Sequence, residues 1–190
     1  MTTVAEESAA NGRVRRSTTD ALSISDVQAI RDLLWSAFPP GDEGFTEDDW
    51  NHGLGGVHMI LELDDRIVGH ASVVERDLHL GARSVRTGYV EAVAIDPARQ
   101  GRGLGSRLMT DVNAHIRQQF ELGALGTGRH RFYERLGWWT WRGPASVRTE
   151  HGPERTPDED GYILVLETPA SPPLDLDAPI SCEWRSGDVW

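Results

Sequence analysis

Gly88-Tyr89-Val90-Glu91-Ala92-Val93-Ala94-Ile95-Asp96-Pro97-Ala98-Arg99-Gln100-Gly101-Arg102-Gly103-Leu104-Gly105-Ser106-Arg107-Leu108-Met109 is the stretch that decides the fold. Its first half is an apolar, β-branched run. Asp96-Pro97 ends it, because proline cannot donate to a strand ladder. Its second half opens a helix: Leu104, Leu108, Val112, Ile116 and Phe120 recur at helical spacing and predict a helix from Leu104 to about Phe120. The glycine-rich segment Gln100–Gly105 lies between the two. A loop in that position aims successive N–H groups at an anion, and the helix N-terminus adds its dipole. Glycines let the backbone approach phosphates without a Cβ in the way. Arg99 and Arg102 add charge nearby.

Two familiar phosphate loops do not fit. A P-loop ends in Gly-Lys-Ser/Thr, which is absent here. A dinucleotide fingerprint places its first glycine directly after the strand, with an acid about twenty residues on. Here Asp96-Pro97-Ala98-Arg99 intervene.

Outward from this core, the N-terminal side predicts a helix opening at Ser25, with Ser25-Asp26-Val27-Gln28 as a capping box. Pro39-Pro40-Gly41 stops it. A short helix is expected over about Thr46–Leu54, with Thr46 and Asp49 as its start signal. Val57–Leu63 and Arg66–Val74 flank Asp64-Asp65 and read as a hairpin, and Ser84–Ile95 is a third strand. On the C-terminal side, Leu122–Thr127 is a strand, His130–Leu136 a brief helix and Trp138–Trp141 a strand. His151–Gly161 is polar and reads as a loop. Tyr162–Glu167 is a strand, and Thr168–Trp190 is loop with short strand. Interspersed strands and helices indicate a mixed α/β class.

The chain has 190 residues, enough for one domain and short for two. Residues 1–20 read as a disordered leader and 21–190 as the single domain, including the C-terminal tail. Nineteen basic against 30 acidic side chains give a net charge of -11, which argues against a nucleic-acid surface. It suits a solvated acidic surface, and it would also attract a cationic substrate. Cys182 is the one cysteine, so no disulfide forms within the chain. It reads as a small buried hydrophobe. No apolar run approaches the ~20 residues a bilayer span needs, so no membrane partner is expected. The cytoplasm is the default location, although a lone cysteine also tolerates an oxidising one. His58, His70, His79, His115, His130 and His151 are scattered without metal-ligand spacing; they read as surface or satisfied core histidines, and no metal is expected.

The segment Val90–Met109 with Gln100-Gly101-Arg102-Gly103-Leu104-Gly105 resembles the fourth strand, pyrophosphate loop and following helix of the GNAT superfamily of N-acetyltransferases. The resemblance implies a central, mostly antiparallel sheet splayed between its fourth and fifth strands and flanked by helices. It implies acetyl-CoA as cosubstrate. The backbone of Val93, Ala94 and Ile95 would pair with its pantetheine arm, and Gln100, Gly101, Arg102, Gly103, Leu104 and Gly105 would hold its pyrophosphate. A homodimer is common in that superfamily.

Acetyl transfer to an amine needs a general base for the amine and a general acid for the leaving thiolate. Glu91 is the base candidate, because a carboxylate inside an apolar β run needs a reason. A glutamate on the solvated face of a half-exposed strand is the plainer alternative. Tyr133 is the acid candidate. Phe132-Tyr133-Glu134-Arg135-Leu136-Gly137-Trp138 resembles the superfamily's Phe-Tyr-x-x-x-Gly-Phe pattern, with Trp138 in place of Phe. A tyrosine that only packs is its alternative.

A narrower resemblance covers most of the chain after the leader. Phe45–Trp50, Leu54–His58, Gly88–Glu91, Leu122–Leu125, Arg155–Gly161 and Trp184–Trp190 are similar to segments of the aminoglycoside 2′-N-acetyltransferases. That family acts on cationic antibiotics, whose ammonium groups are best matched by carboxylates. The resemblance implies a sugar site lined by Asp42, Asp49, Glu91, Ala92, Asp158, Glu159, Asp188 and the Trp190 α-carboxylate, with Gly126 and Thr127 offering backbone or hydroxyl contacts. Asp42 against Glu43, and Asp158 against Glu159, stay open. A polyamine, a cell-wall amino sugar or a protein lysine is an alternative acceptor, and a non-catalytic acyl-CoA sensor is an alternative of another class.

Overall fold

The computed structural model describes residues 12–41 and 44–190. Within them the backbone packs as two compact units. One comprises the chain up to Val74 together with Val90–Val112, the other Glu75–Tyr89 together with Asn113–Trp190.

In the first unit, β1 (Arg13–Thr18), β2 (Val57–Leu63) and β3 (Arg66–Leu80) pair antiparallel in that order. The predicted hairpin forms, and β3 runs to Leu80 rather than stopping at Val74. Asp64 and Asp65 take φ of 51° and 56°. A type I′ turn requires positive φ at both central positions, and aspartate tolerates that region better than most residues. β1 corrects the expected leader, because six of those residues pair with Val57–Glu62. Most of its residues stay partly or fully exposed. A strand that buries little gives no apolar signal in sequence.

Helix α1 (Ile24–Ala37) has its cap at Ser23, two residues before the expected one. Ser23 Oγ accepts from Asp26 N at 3.1 Å and Asp26 Oδ2 accepts from Ser23 N at 3.2 Å. The capping box is therefore Ser23-x-x-Asp26. Helix α2 (Glu47–His52) uses the predicted Thr46/Asp49 box. Ile30, Leu33 and Leu34 of α1 and Trp50 of α2 pack on Ile60 and Ala94. Full burial of each such side chain stabilises by about 1.5–3 kcal/mol. Ala94 belongs to β4 (Arg83–Ile95), and α3 (Leu104–Gln119) follows the glycine loop.

In the second unit, β5 (Leu122–Gly126) pairs parallel with the Thr87–Tyr89 part of β4 and antiparallel with β9 (Ile163–Glu167); β6 (Trp139–Thr140) pairs with β9. The end of β3 pairs with β10 (Ile180–Glu183), which runs parallel to β7 (Ala145–Thr149), and β7 pairs with β8 (Gly152–Arg155). β8 corrects the expected loop at 151–161. It carries Pro153 and is mostly exposed, as an edge strand permits. Gly123 is required by close packing: a Cβ there would lie 2.9 Å from Leu166 Cβ and 3.0 Å from Ile116.

The β1–β2, β2–β3, β3–β10, β5–β9, β6–β9 and β7–β8 pairs are antiparallel, and β4–β5 and β7–β10 are parallel. This is the mixed α/β, mostly antiparallel class that the sequence predicts. Among the described residues no helix is long and apolar enough to cross a membrane.

Candidate active site

The glycine loop has the form the sequence predicts. Gly101 and Gly103 take φ of 76° and 81°, and a Cβ at either would meet nothing within 4 Å. Their requirement for glycine is conformational, and the surface above them is open. Asp96 caps the preceding 3-10 turn (Pro97–Arg99) by accepting from Ala98 N at 2.9 Å. Gln100 Nε2 donates to Ile95 O at 3.1 Å, fixing the loop to the end of β4. The first N–H groups of α3 have no acceptor within the helix, and they point to where an anion would sit. Loop and helix start therefore suit a pyrophosphate.

Glu91 and Ala92 lie on β4 just before that loop, both half-buried. Ala92 has φ of 52°, a left-handed conformation in mid-strand that marks a bulge. A β-bulge takes carbonyls out of the ladder, and here β3 side chains satisfy two. His70 Nδ1 lies 2.8 Å from Ala92 O, and Ser72 Oγ donates to Glu91 O at 3.4 Å. His70 Nε2 is 2.9 Å from His58 Nδ1, and His58 Nε2 is 2.8 Å from Thr19 Oγ1. Gly55 N donates to that hydroxyl at 2.8 Å. Both rings are fully buried. Burial pushes His58 down to about 4; burial, reinforced by His58, pushes His70 down to about 3. Both are neutral near pH 7.

In the second unit, Tyr133 lies on α4 (His130–Glu134) and is buried, edge-on to Phe132 and Trp138. Burial raises its phenol to about 12 against a smaller opposing effect of Arg129. It is a proton donor near pH 7.

Asp158 and Glu159 lie in a 3-10 turn (Pro157–Glu159). Burial and then Asp188 and Asp158 raise the Glu159 carboxyl, so the structure brings these three acids together. Trp190 is buried beside them. Its indole N–H donates to Thr156 Oγ1 at 3.0 Å and its backbone N–H to Asp188 Oδ1 at 3.2 Å. A Cβ on Gly126 would stand 3.8 Å from Trp190 C, which places Gly126 at the same spot. Thr127 Oγ1 accepts from Arg129 N at 3.0 Å, leaving its hydroxyl hydrogen to donate.

Of the two remaining expected residues, one has a structural task and one lies outside the described residues. Asp49 Oδ2 accepts from Thr46 N and Thr46 Oγ1, each at 2.8 Å, so it serves the α2 cap. Asp42, with Glu43, lies outside the described residues.

Residues to which the sequence gives no site role support both regions. Thr19, His58, His70 and Ser72 hold the bulge. The hairpin register gives a signal for them, since Ile60↔His70 and His58↔Ser72 put His58 and His70 diagonally on one face. Arg76 and Arg185 hold the C-terminal segment. Buried Arg76 donates to Glu183 Oε1 at 2.8 Å, Glu183 O at 3.2 Å and Val189 O at 2.9 Å. Arg185 donates to Asp188 O at 2.7 Å and Trp190 O at 3.2 Å. Arg76→Met removes these three bonds, leaving Val189 O only the weak Cys182 thiol donor at 3.2 Å. It should cost about 2 kcal/mol, read as a fall of roughly 4–8 °C in melting temperature. Proteolysis of the 183–190 tail should speed up in parallel, and an unchanged cleavage rate would refute the anchoring role.

Residues 27–138 match the model of the acetyltransferase (GNAT) family. The chain belongs to this family and is an acetyltransferase. It is 41% identical to the aminoglycoside 2′-N-acetyltransferase of Mycolicibacterium fortuitum over 168 residues, 86% of this chain and 84% of that protein. A GNAT family acetyltransferase from Brucella melitensis, solved in complex with acetyl-CoA, is 17% identical with a TM-score of 0.61, over 92% of this chain and 97% of that one. A GCN5-related N-acetyltransferase from Kribbella flavida is 21% identical with a TM-score of 0.56; 70% of this chain is matched, spanning 35% of that longer chain. At these identities the two solved structures share the fold.

Proposed function

We propose that this chain transfers the acetyl group of acetyl-CoA to the 2′-amino group of aminoglycoside antibiotics, by direct attack in a ternary complex, and so confers resistance. The observation that carries the acceptor is the 41% identity to an aminoglycoside 2′-N-acetyltransferase over most of both chains. The acid cluster of Asp158, Glu159 and Asp188 supports it, because a polycation is best bound by carboxylates.

Acetyl-CoA, when bound, supplies an activated thioester. Gly101 and Gly103, both at positive φ, shape the loop that would take its pyrophosphate, together with Gln100, Arg102, Leu104 and Gly105. The backbone of Val93, Ala94 and Ile95 would pair with the pantetheine arm. Glu91 takes the proton that the attacking amine loses, through bridging water. Tyr133 gives its phenolic proton to the departing sulfur and regains one from solvent. No covalent enzyme intermediate is needed. Cys182 is buried, and burial raises its thiol to about 11, so it is a poor nucleophile.

The test is CoA release with a panel of acceptors. Tobramycin carries a 2′-amine and should be acetylated there. Kanamycin A carries a 2′-hydroxyl and should be a poor substrate. Equal N-acetylation of both, or of neither, would sink the 2′ assignment. Turnover only with polyamines, amino sugars or lysine peptides would move the acceptor to one of those classes.

A further inference from the structure

We infer that Thr19, His58 and His70 form a tautomer-locked hydrogen-bond chain whose task is to hold the Ala92 bulge, making both histidines positioning residues for Glu91 and for the strand that follows it. The inference rests on the acetyl-transfer reading of Glu91.

The direction of each bond is forced from one end. The Ala92 carbonyl can only accept, so His70 Nδ1 carries the hydrogen. A neutral ring has one N–H, so His70 Nε2 accepts, and His58 Nδ1 must donate to it. His58 Nε2 then accepts, from the Thr19 hydroxyl. The Thr19 oxygen in turn receives Gly55 N–H. Every ring nitrogen is used, and both rings hold the Nδ1–H tautomer. The depressed basicity of both imidazoles agrees with neutral rings.

The chain has a strained feature to hold. Ala92 sits at φ of 52°, a conformation that is disfavoured for a non-glycine residue and persists only where its surroundings fix it. His70 and Ser72, two apart on β3, project from one face and grip the successive carbonyls of Ala92 and Glu91. Gly53 lies against the same place, since a Cβ there would be 3.0 Å from Ser72 Oγ and 3.6 Å from Ala92 Cβ. The bulge sets the direction in which Glu91 leaves the strand. It also sets the backbone phase of Val93 and Ile95, the positions assigned to the pantetheine arm. A far end of the chain at Thr19 therefore controls a near end at Glu91.

A purely space-filling role makes a different forecast. His58→Phe keeps an aromatic ring but removes the donor to His70 Nε2. His70 is then free to move its proton to Nε2, which sets two acceptors, Nδ1 and the Ala92 carbonyl, against each other. His58→Asn restores an amide donor near the Nδ1 position.

The full-length chain should be studied in three ways. Nitrogen-15 NMR of the histidine rings should show Nδ1–H and bare Nε2 for both His58 and His70. Calorimetric titration with CoA should show affinity weakened about tenfold in His58→Phe, with His58→Asn within about threefold of wild type. The kcat for tobramycin should fall about tenfold in His58→Phe with little change in its KM, and His58→Asn should recover it. An Nε2–H tautomer on His70, or a His58→Phe chain with unchanged CoA affinity, overturns the inference. A wild-type chain that acetylates no aminoglycoside overturns the proposed acceptor instead, and the tautomers and CoA affinities still decide the hydrogen-bond chain.

Discussion

Replacing Glu91 by Gln should lower kcat for acetylation of a 2′-amine by roughly 10²–10³-fold, the usual worth of a positioned general base. The substitution keeps size and one acceptor oxygen and removes the charge and the basicity. Its backbone environment should survive, because Ser72 bonds to the Glu91 carbonyl rather than to the side chain. CoA affinity should therefore be nearly unchanged, which separates a lost base from a disturbed cofactor site. The acid limb of the kcat–pH profile should vanish with the carboxylate. Tyr133→Phe should be milder, about tenfold, since water can protonate a departing thiolate. The wild-type phenol, raised to about 12, stays protonated through the assay range, so its loss should not change the basic limb. Unchanged kcat in Glu91→Gln would remove Glu91 from the mechanism.

The strand, glycine loop and helix to which the cofactor is assigned were legible in the sequence because they depend on local rules. A strand ended by Asp96-Pro97, a glycine-rich loop before a helix and an apolar stripe from Leu104 are all short-range signals. The same holds for the hairpin at Asp64-Asp65 and the cap at Thr46. The missed parts depend on partners distant in sequence. β1 is polar and reads as a leader, yet it lies on the edge of β2, and Thr19 just beyond it ends the histidine chain. Ala92 shows nothing unusual by residue type; its left-handed backbone is imposed by His70 and Ser72 from another strand. β8 hides its strand nature because its side chains are mostly exposed. Asp49 shows the converse ambiguity. An acid in a loop reads equally as a ligand or a cap, and the geometry assigns it to the cap.

The same buried rings predict a steep loss of stability in mild acid. Unfolded histidines take up protons near pH 6.5, whereas His58 and His70 in the fold resist until about 4 and about 3. Between those limits the unfolded chain binds more protons than the folded one, so stability is complete above about pH 6.5 and falls as pH drops. Each ring contributes a slope of about 1.4 kcal/mol per pH unit, and the two together should remove roughly 4–5 kcal/mol between pH 6.5 and 4.5. That is a large share of the ~5–15 kcal/mol typical of a folded chain. The bonded partners of the rings are a hydroxyl, a carbonyl and each other, none of them an anion that would hold an imidazolium. Glu159 works the other way. Its raised carboxyl binds its proton earlier in the fold than in the unfolded chain, but it is half-exposed, so solvent screening keeps its share small. Urea denaturation followed by tryptophan fluorescence at pH 7, 6, 5 and 4.5 measures the slope directly. His58→Asn should halve it, because one titrating ring remains. One ring alone should remove about 2 kcal/mol, so a wild-type chain that loses less than about 1 kcal/mol over that range would have neither ring held neutral, and the Ala92 carbonyl would then be held by something other than a fixed tautomer.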